Sequence, residues 1–259
     1  MGFDKEGFLG SESLSLVAKQ LSEFQDLFEF AYSCSASAME CLSKPLPQGN
    51  AGVSIGVMCS RCVAQYQGSI ILAERGLTLE SMILARALFE TVFVLGALIN
   101  KKVSPEDLAE SDLGSRRKLG NAIMQYTKNI STEQNEKLAS FIKEQKTAKT
   151  ISMEQMATHA GMKNVYDGIY RHLSHFVAHP TLTSASAYYA ELSEGSGKVL
   201  FKPLSNYTSK AILSASIGIL LACSTIEKNS SKEQNINLRL NELLDKEDIL
   251  YEKYKPFQE

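Results

Sequence analysis

LTLESMILARALFETVFVLGALIN, residues 77–100, decides the fold. Leu79, Met82, Ile83, Leu84, Leu88, Phe89, Val92, Phe93, Val94 and Leu95 cover almost the whole circumference of a 3.6-residue wheel, so this segment reads as a helix that must be surrounded by others. The chain on either side supplies the cover. Residues 11–43 repeat Leu14, Val17, Leu21, Phe24, Phe28 and Ala31 at helical spacing, and Pro45, Pro47 and Gly49 then end that helix. A second helix over 51–75 stops at Gly76. Beyond the central segment, Ser104-Pro105-Glu106-Asp107 gives a cap, a first-turn proline and two acids in order, and Ser131 with Gln134 gives a capping box. Further helices are expected over 164–178, 207–227 and 233–254. His179-Pro180 forces a break, and SASAYYAEL, SEGSG and KVLFKP read as two extended arms about a turn. With no internal repeat and no long linker, the expectation is an all-α fold over residues 1–259: one multi-helix bundle with a small β-hairpin near 185–202.

Composition excludes several classes. The chain has 259 residues, 44% hydrophobic and 22% charged, which is enough apolar material for a sizeable core and is neither disordered nor fibrous in character. Its 27 basic and 29 acidic residues leave a net charge of −2, so no global field recruits nucleic acid or an anionic membrane. Charge is nevertheless uneven. Residues 116–149 carry eight bases against three acids, and residues 1–40 carry seven acids against two bases. The basic stretch is a candidate RNA contact, and the opposed segments would equally suit a homodimer or a partner protein. The opening MGFDKEGFLG has no apolar signal region, and the uncharged run 211–226 is sixteen residues, short of a span. A cytoplasmic protein with no membrane partner is therefore expected.

The five cysteines at 34, 41, 59, 62 and 223 include one close pair, Cys59-x-x-Cys62, without the second pair or histidine pair that zinc would require. Buried reduced thiols are the expected reading, and neither a cofactor nor a metal is expected.

Two groups of polar residues require an explanation. The central helix carries Glu80, Arg86 and Glu90, of which Arg86 and Glu90 are one turn apart. Charges on a surrounded helix cost several kcal/mol each unless paired, so these either clamp the bundle or line a cavity. The second group is YRHLSHFVAHP, residues 170–180, with His172, His175 and His179 at i, i+3 and i+7 and Arg171 one turn from His175. His175 and His179 could share a metal only if Glu90 or Glu80 came from a neighbouring helix, and no HExxH or ExxH supports that. His172 is the member expected to face away from Arg86 and Glu90, and His159 is expected to be exposed.

ERGLTLESMILARALFETVFVLGAL followed by YRHLSHFVAHPT resembles an uncharacterised bacterial family, the domain of unknown function numbered 5677. The matching positions are Arg75, Glu80, Arg86 and Glu90 in the first block and Tyr170, Ser174, His179 and Pro180 in the second, within a family-like core of about 55–225. More distantly, the chain is similar to HEPN helical bundles, metal-free ribonucleases of toxin and phage-defence systems whose motif sets a His four to six residues after an Arg. Here three residues separate Arg171 from His175 and seven separate it from His179. Two functions follow as expectations. One is a binding or scaffold module in which a buried Arg/Glu/His cluster fixes helix register. The alternative is a HEPN-like ribonuclease or phosphodiesterase with Arg86, Glu90, Arg171, His175 and His179 as catalytic residues, supported by Tyr170, Ser174 and Glu80.

Overall fold

The computed structural model describes residues 7–42, 48–127, 131–178, 181–193, 196–199, 204–228 and 234–257. After a short 3-10 turn at Gly7–Leu9, the helices are α1 (Glu12–Glu23), α2 (Gln25–Leu42), α3 (Asn50–Glu74), α4 (Thr78–Ile99), α5 (Pro105–Tyr126), α6 (Thr132–Glu144), α7 (Met153–His159), α8 (Lys163–Val165), α9 (Arg171–Phe176), α10 (Leu182–Ser186), α11 (Thr208–Glu227) and α12 (Gln234–Tyr254). A π-helical turn at Tyr166–Tyr170 joins α8 to α9, and β1 (Tyr189–Ser193) pairs antiparallel with β2 (Ser196–Val199). The fold is an all-α multi-helix bundle carrying one small hairpin.

Helix α4 lies at its centre, packed between α3 and α11, with α7 on a further side. Met82, Leu88, Phe89, Val92, Phe93 and Leu95 are fully buried. Polar side chains fasten the packed helices at chosen points. Ser69 Oγ donates to the Ser81 carbonyl at 2.9 Å, Thr91 Oγ1 donates to Gln65 Oε1 at 2.8 Å, and the Tyr66 hydroxyl donates to the Ala31 carbonyl at 2.9 Å. Each of these hydroxyls has hydrogen-bond partners within the core, which is why polar residues are tolerated there. The α3–α4 corner is a Schellman turn at Gly76, whose φ is +72°. The Leu77 N–H reaches the Leu72 carbonyl and the Gly76 N–H reaches that of Ala73, closing the helix as a left-handed glycine does best. The capping boxes at Ser104 with Asp107 and at Ser131 with Gln134 are both formed.

Four local expectations need correction. The helix expected over 11–43 is two helices that break at Phe24. No proline or glycine causes the break. The buried Gln20 Nε2 is held by the Ala73 carbonyl at 2.6 Å and Thr208 Oγ1 at 2.9 Å, while the Phe24 ring packs near Tyr254, so tertiary anchors set the bend. Helix α7 arises where no helix was expected, from a third capping box at Ser152 and Gln155, and it buries Met156 and Ala157. Residues 184–186, expected in an extended arm, close α10 under a Thr181 cap instead, and the strands begin at Tyr189. His159, expected to be exposed, is half-buried, and its carbonyl accepts from Asn100 Nδ2 at 3.2 Å.

Two helical stretches, Thr78–Ile99 and Ser205–Glu227, are long and apolar enough to cross a membrane. In this fold 61% and 67% of their apolar windows are buried against other helices.

Candidate functional site

The polar residues of α4 find their partners on the segment that follows α8. Arg86 Nε donates to Ser174 Oγ at 2.7 Å, and its Nη2 donates to the Tyr170 hydroxyl at 3.0 Å. The same nitrogen forms an ion pair with Glu90 Oε1 at 3.1 Å, and the Tyr170 hydroxyl donates to that oxygen at 2.8 Å. Arg86, Glu90 and Tyr170 thus close a ring of polar contacts, with Ser174 attached to the guanidinium. The guanidinium also lies 5.1 Å from the centroid of the Tyr170 ring.

Local chain geometry makes this possible. Residues 86 and 90 share a face of α4 because they are one turn apart. Tyr170 ends the π-helical turn, and its ring is fixed by stacking on Tyr166 at 4.9 Å and by an edge contact with Phe93 at 5.7 Å. Ser174 lies one turn further along α9, on the same side as Tyr170. The wider π turn sets the angular offset between α8 and α9, a local change that often marks a site where helix packing has been adjusted.

The cluster is not sealed. The Arg86 and Glu90 side chains are 25% and 32% exposed, so the heavy penalty expected for charges on a surrounded helix is much reduced here by water. Burial, followed by the hydrogen bond to Glu90, raises the Tyr170 hydroxyl above the usual tyrosine range. Glu80 takes part in a separate contact: the Tyr188 hydroxyl donates to its Oε1 at 2.9 Å and is pushed up to about 12 by burial and by that carboxylate.

The remaining sequence candidates lie elsewhere. Arg171 is exposed and pairs with Asp167 Oδ1 at 3.7 Å, one turn back on its own segment, and His175 is exposed. Among the described residues no hydrogen bond or ion pair joins either of them to Arg86 or Glu90. The structure therefore brings together Arg86, Glu90, Tyr170 and Ser174, and leaves Arg171 and His175 outside that group. His179 and Pro180 lie outside the described residues. His172 faces away from the cluster as expected, stacking on Phe176 at 5.8 Å and meeting Phe257 edge-on at 5.2 Å. Among the described residues no three His, Cys, Asp or Glu side chains converge closely enough to hold a metal ion.

Three participants escape the sequence reading. Asp167 is one turn before Arg171, a spacing visible in the chain. Tyr188 is 108 residues from Glu80, and nothing local announces it. Lys210, at the start of α11, is 5% exposed, with its ammonium over the rings of Phe176 at 4.9 Å and Phe257 at 5.4 Å. A lone cation directly before an uncharged run was its only signal.

Compared with known proteins, the chain matches the model of a family of unknown function, DUF5677, over residues 54–197. That span begins where the family-like core was expected and ends before the expected 225. No curated protein and no solved structure matches.

Proposed function

The chain belongs to the DUF5677 family of unknown function, and we propose that it is a helical binding module whose Arg86, Glu90, Tyr170 and Ser174 cluster sets the register of α9 against α4. One observation carries this reading: the guanidinium hydrogen-bonds within the cluster through both its Nε and its Nη2, and the Tyr170 hydroxyl is engaged both as acceptor and as donor. A hydroxyl meant to carry a proton to substrate would be expected to keep such capacity free. The Arg171 guanidinium and His175 imidazole, which the ribonuclease reading needs beside Arg86 and Glu90, point instead to solvent. The free, buried thiols of Cys34, Cys41, Cys59, Cys62 and Cys223 suit a reducing compartment, in keeping with a cytoplasmic module.

The test is a cleavage assay on purified full-length chain with labelled single-stranded and hairpin RNA, with and without EDTA. It is run beside melting curves of wild type, Arg86→Ala, His175→Ala and His179→Ala. A binding module gives no cleavage in any tube and a lower melting temperature for Arg86→Ala. Cleavage by the wild type that falls roughly 10²-fold or more in a histidine variant of unchanged melting temperature would overturn the proposal in favour of the metal-independent ribonuclease.

A further inference from the structure

Helix α3 packs mainly against α4, α11 and α2, touches α1 and the start of α5 more lightly, and leaves one side largely open. Along the open side run Val53, Val57, Ser60, Ala64, Gln67 and Ile71, at the spacing of a single helical face. Val53 is 65% exposed, Val57 55% and Ile71 53%, and a groove of about 690 Å³ follows this face where α2 flanks it. Met39, 49% exposed, stands on the α2 wall. On the opposite flank is α4, whose Leu84 packs over Gly68 and whose Ile83 is 43% exposed. Scattered exposed apolar residues need no explanation, but Val53, Val57, Ala64 and Ile71 aligned on one face of a 25-residue helix, interrupted only by Ser60 and Gln67, do.

The order of residues on this stripe indicates what covers it. Val53 and Ile71 lie equally far from position 62, as do Val57 and Gln67, and Ser60 and Ala64. Spacing about a midpoint is common to any helical face. Here the residue types follow it at two of the three pairs, small Ser60 with Ala64 at the middle and branched Val53 with Ile71 at the ends, while the third sets Val57 against Gln67. Laid antiparallel on its own copy about a two-fold axis at position 62, Ser60 faces Ala64 of the second copy, where two helices can approach closely. Val53 then faces Ile71 at both ends.

Charge agrees with this arrangement. Arg75 follows the C-terminal end of α3 and is exposed, and Glu106, also exposed, shares a hollow with Asn50 and Val53 at the N-terminal end. Neither makes an ion pair among the described residues. In the antiparallel arrangement position 75 of one copy comes opposite the start of α3 in the other. Both residues lie on the α4 side of the stripe, and a two-fold axis across the paired helices keeps equivalent flanks together, so Arg75 meets Glu106 twice. Arg61 lies about 80° round the helix from the centre of the face, at the rim, where its head stays in water.

We infer that the open face of α3 is a self-association surface, on which a second copy of this chain docks antiparallel through Val53, Val57, Ser60, Ala64 and Ile71 with paired Arg75–Glu106 contacts. The contact is a single pair of helix faces with its rims, at the small end of specific interfaces, so association in the micromolar range is expected. This surface is separate from the α4–α9 cluster and does not depend on what that cluster does.

Sedimentation equilibrium of the full chain over a concentration series tests the inference. The wild type should fit a monomer–dimer equilibrium. Ser60→Arg, an exposed substitution that sets two arginines near the axis, should weaken the dimer roughly 100-fold or more with an unchanged melting temperature in dilute solution. Arg75→Glu should weaken it about tenfold, and adding Glu106→Arg to that variant should restore it. A chain that stays monomeric at all concentrations would overturn the inference, as would a dimer indifferent to Ser60→Arg. Failure of the double charge reversal to restore association would overturn the antiparallel register.

Discussion

Removing one oxygen atom tests how α9 is held. Tyr170→Phe keeps the ring that stacks on Tyr166 and meets Phe93, and deletes the hydroxyl that accepts from Arg86 and donates to Glu90. Hydrogen bonds to charged groups contribute roughly 1.5–3 kcal/mol when buried. Arg86 and Glu90 are about a quarter and a third exposed, and both keep each other as partners. Water can therefore replace part of what is lost, and the net cost for the two bonds together is expected near ~1.5 kcal/mol. For a chain of this size that corresponds to a fall of about 3–6 °C in melting temperature. Tyr170→Ala also loses the ring contacts and should cost roughly 3 kcal/mol more. Urea denaturation of Tyr170→Phe, Arg86→Ala and the double variant closes a cycle in which the coupling should be about 1 kcal/mol. Two results would refute the reasoning: Tyr170→Phe indistinguishable from wild type with zero coupling, or Tyr170→Phe as damaging as Tyr170→Ala, which would place the whole effect in the ring.

Gly96→Ala should destabilise by ~1 kcal/mol or more despite the better helix propensity of alanine, because a Cβ there would stand 2.7 Å from Ala160 Cβ and push α7 from α4. A more stable variant by urea denaturation would show that this contact yields freely. Gln20→Ala should cost about 1–2 kcal/mol by removing the donor to the Thr208 hydroxyl and the second donor to the Ala73 carbonyl, which keeps the Gly76 N–H, and limited proteolysis should then cut first within α1. Glu247 on α12 is raised from 4.5 to about 7 by burial and then by neighbouring Asp248, with Cys34 facing it from α2 and Lys246 beside it. The folded chain thus holds this proton more tightly than the unfolded one, so the associated stability is complete below 4.5 and is lost as pH rises through 7. Glu247→Gln should accordingly gain melting temperature over wild type between pH 5 and pH 8, and a pH-independent difference would count against the shift.

How far the sequence could be read depended on whether the determining contact was local. The cap at Ser104, the capping box at Ser131, the glycine stop at Gly76 and the Arg86–Glu90 pair are fixed within one helical turn, and all are found where their spacing puts them. The Ser152–Gln155 box is equally local, yet it lies beside a polar stretch that reads as periphery, so the buried Met156 and Ala157 went unrecognised. The break at Phe24 follows from partners of Gln20 that are 53 and 188 residues away, a distance at which no periodicity carries information. The candidate site divides in the same manner. Its α4 half was visible as charges on an apolar wheel, whereas the choice of Tyr170 and Ser174 over Arg171 and His175 as their neighbours depends on which side of α9 meets α4. The π turn at Tyr166–Tyr170 contributes to that choice, and counting at 3.6 residues per turn cannot register it. Helix α3 shows the limit from the other direction. It is apolar on two sides, and sequence alone gives no means of telling the side that α2, α4 and α11 cover from the side they leave open. Only after the neighbours are in place do Val53, Val57 and Ile71 become an exposed face rather than more core, and only then does the pairing of Val53 with Ile71 about position 62 acquire a physical meaning.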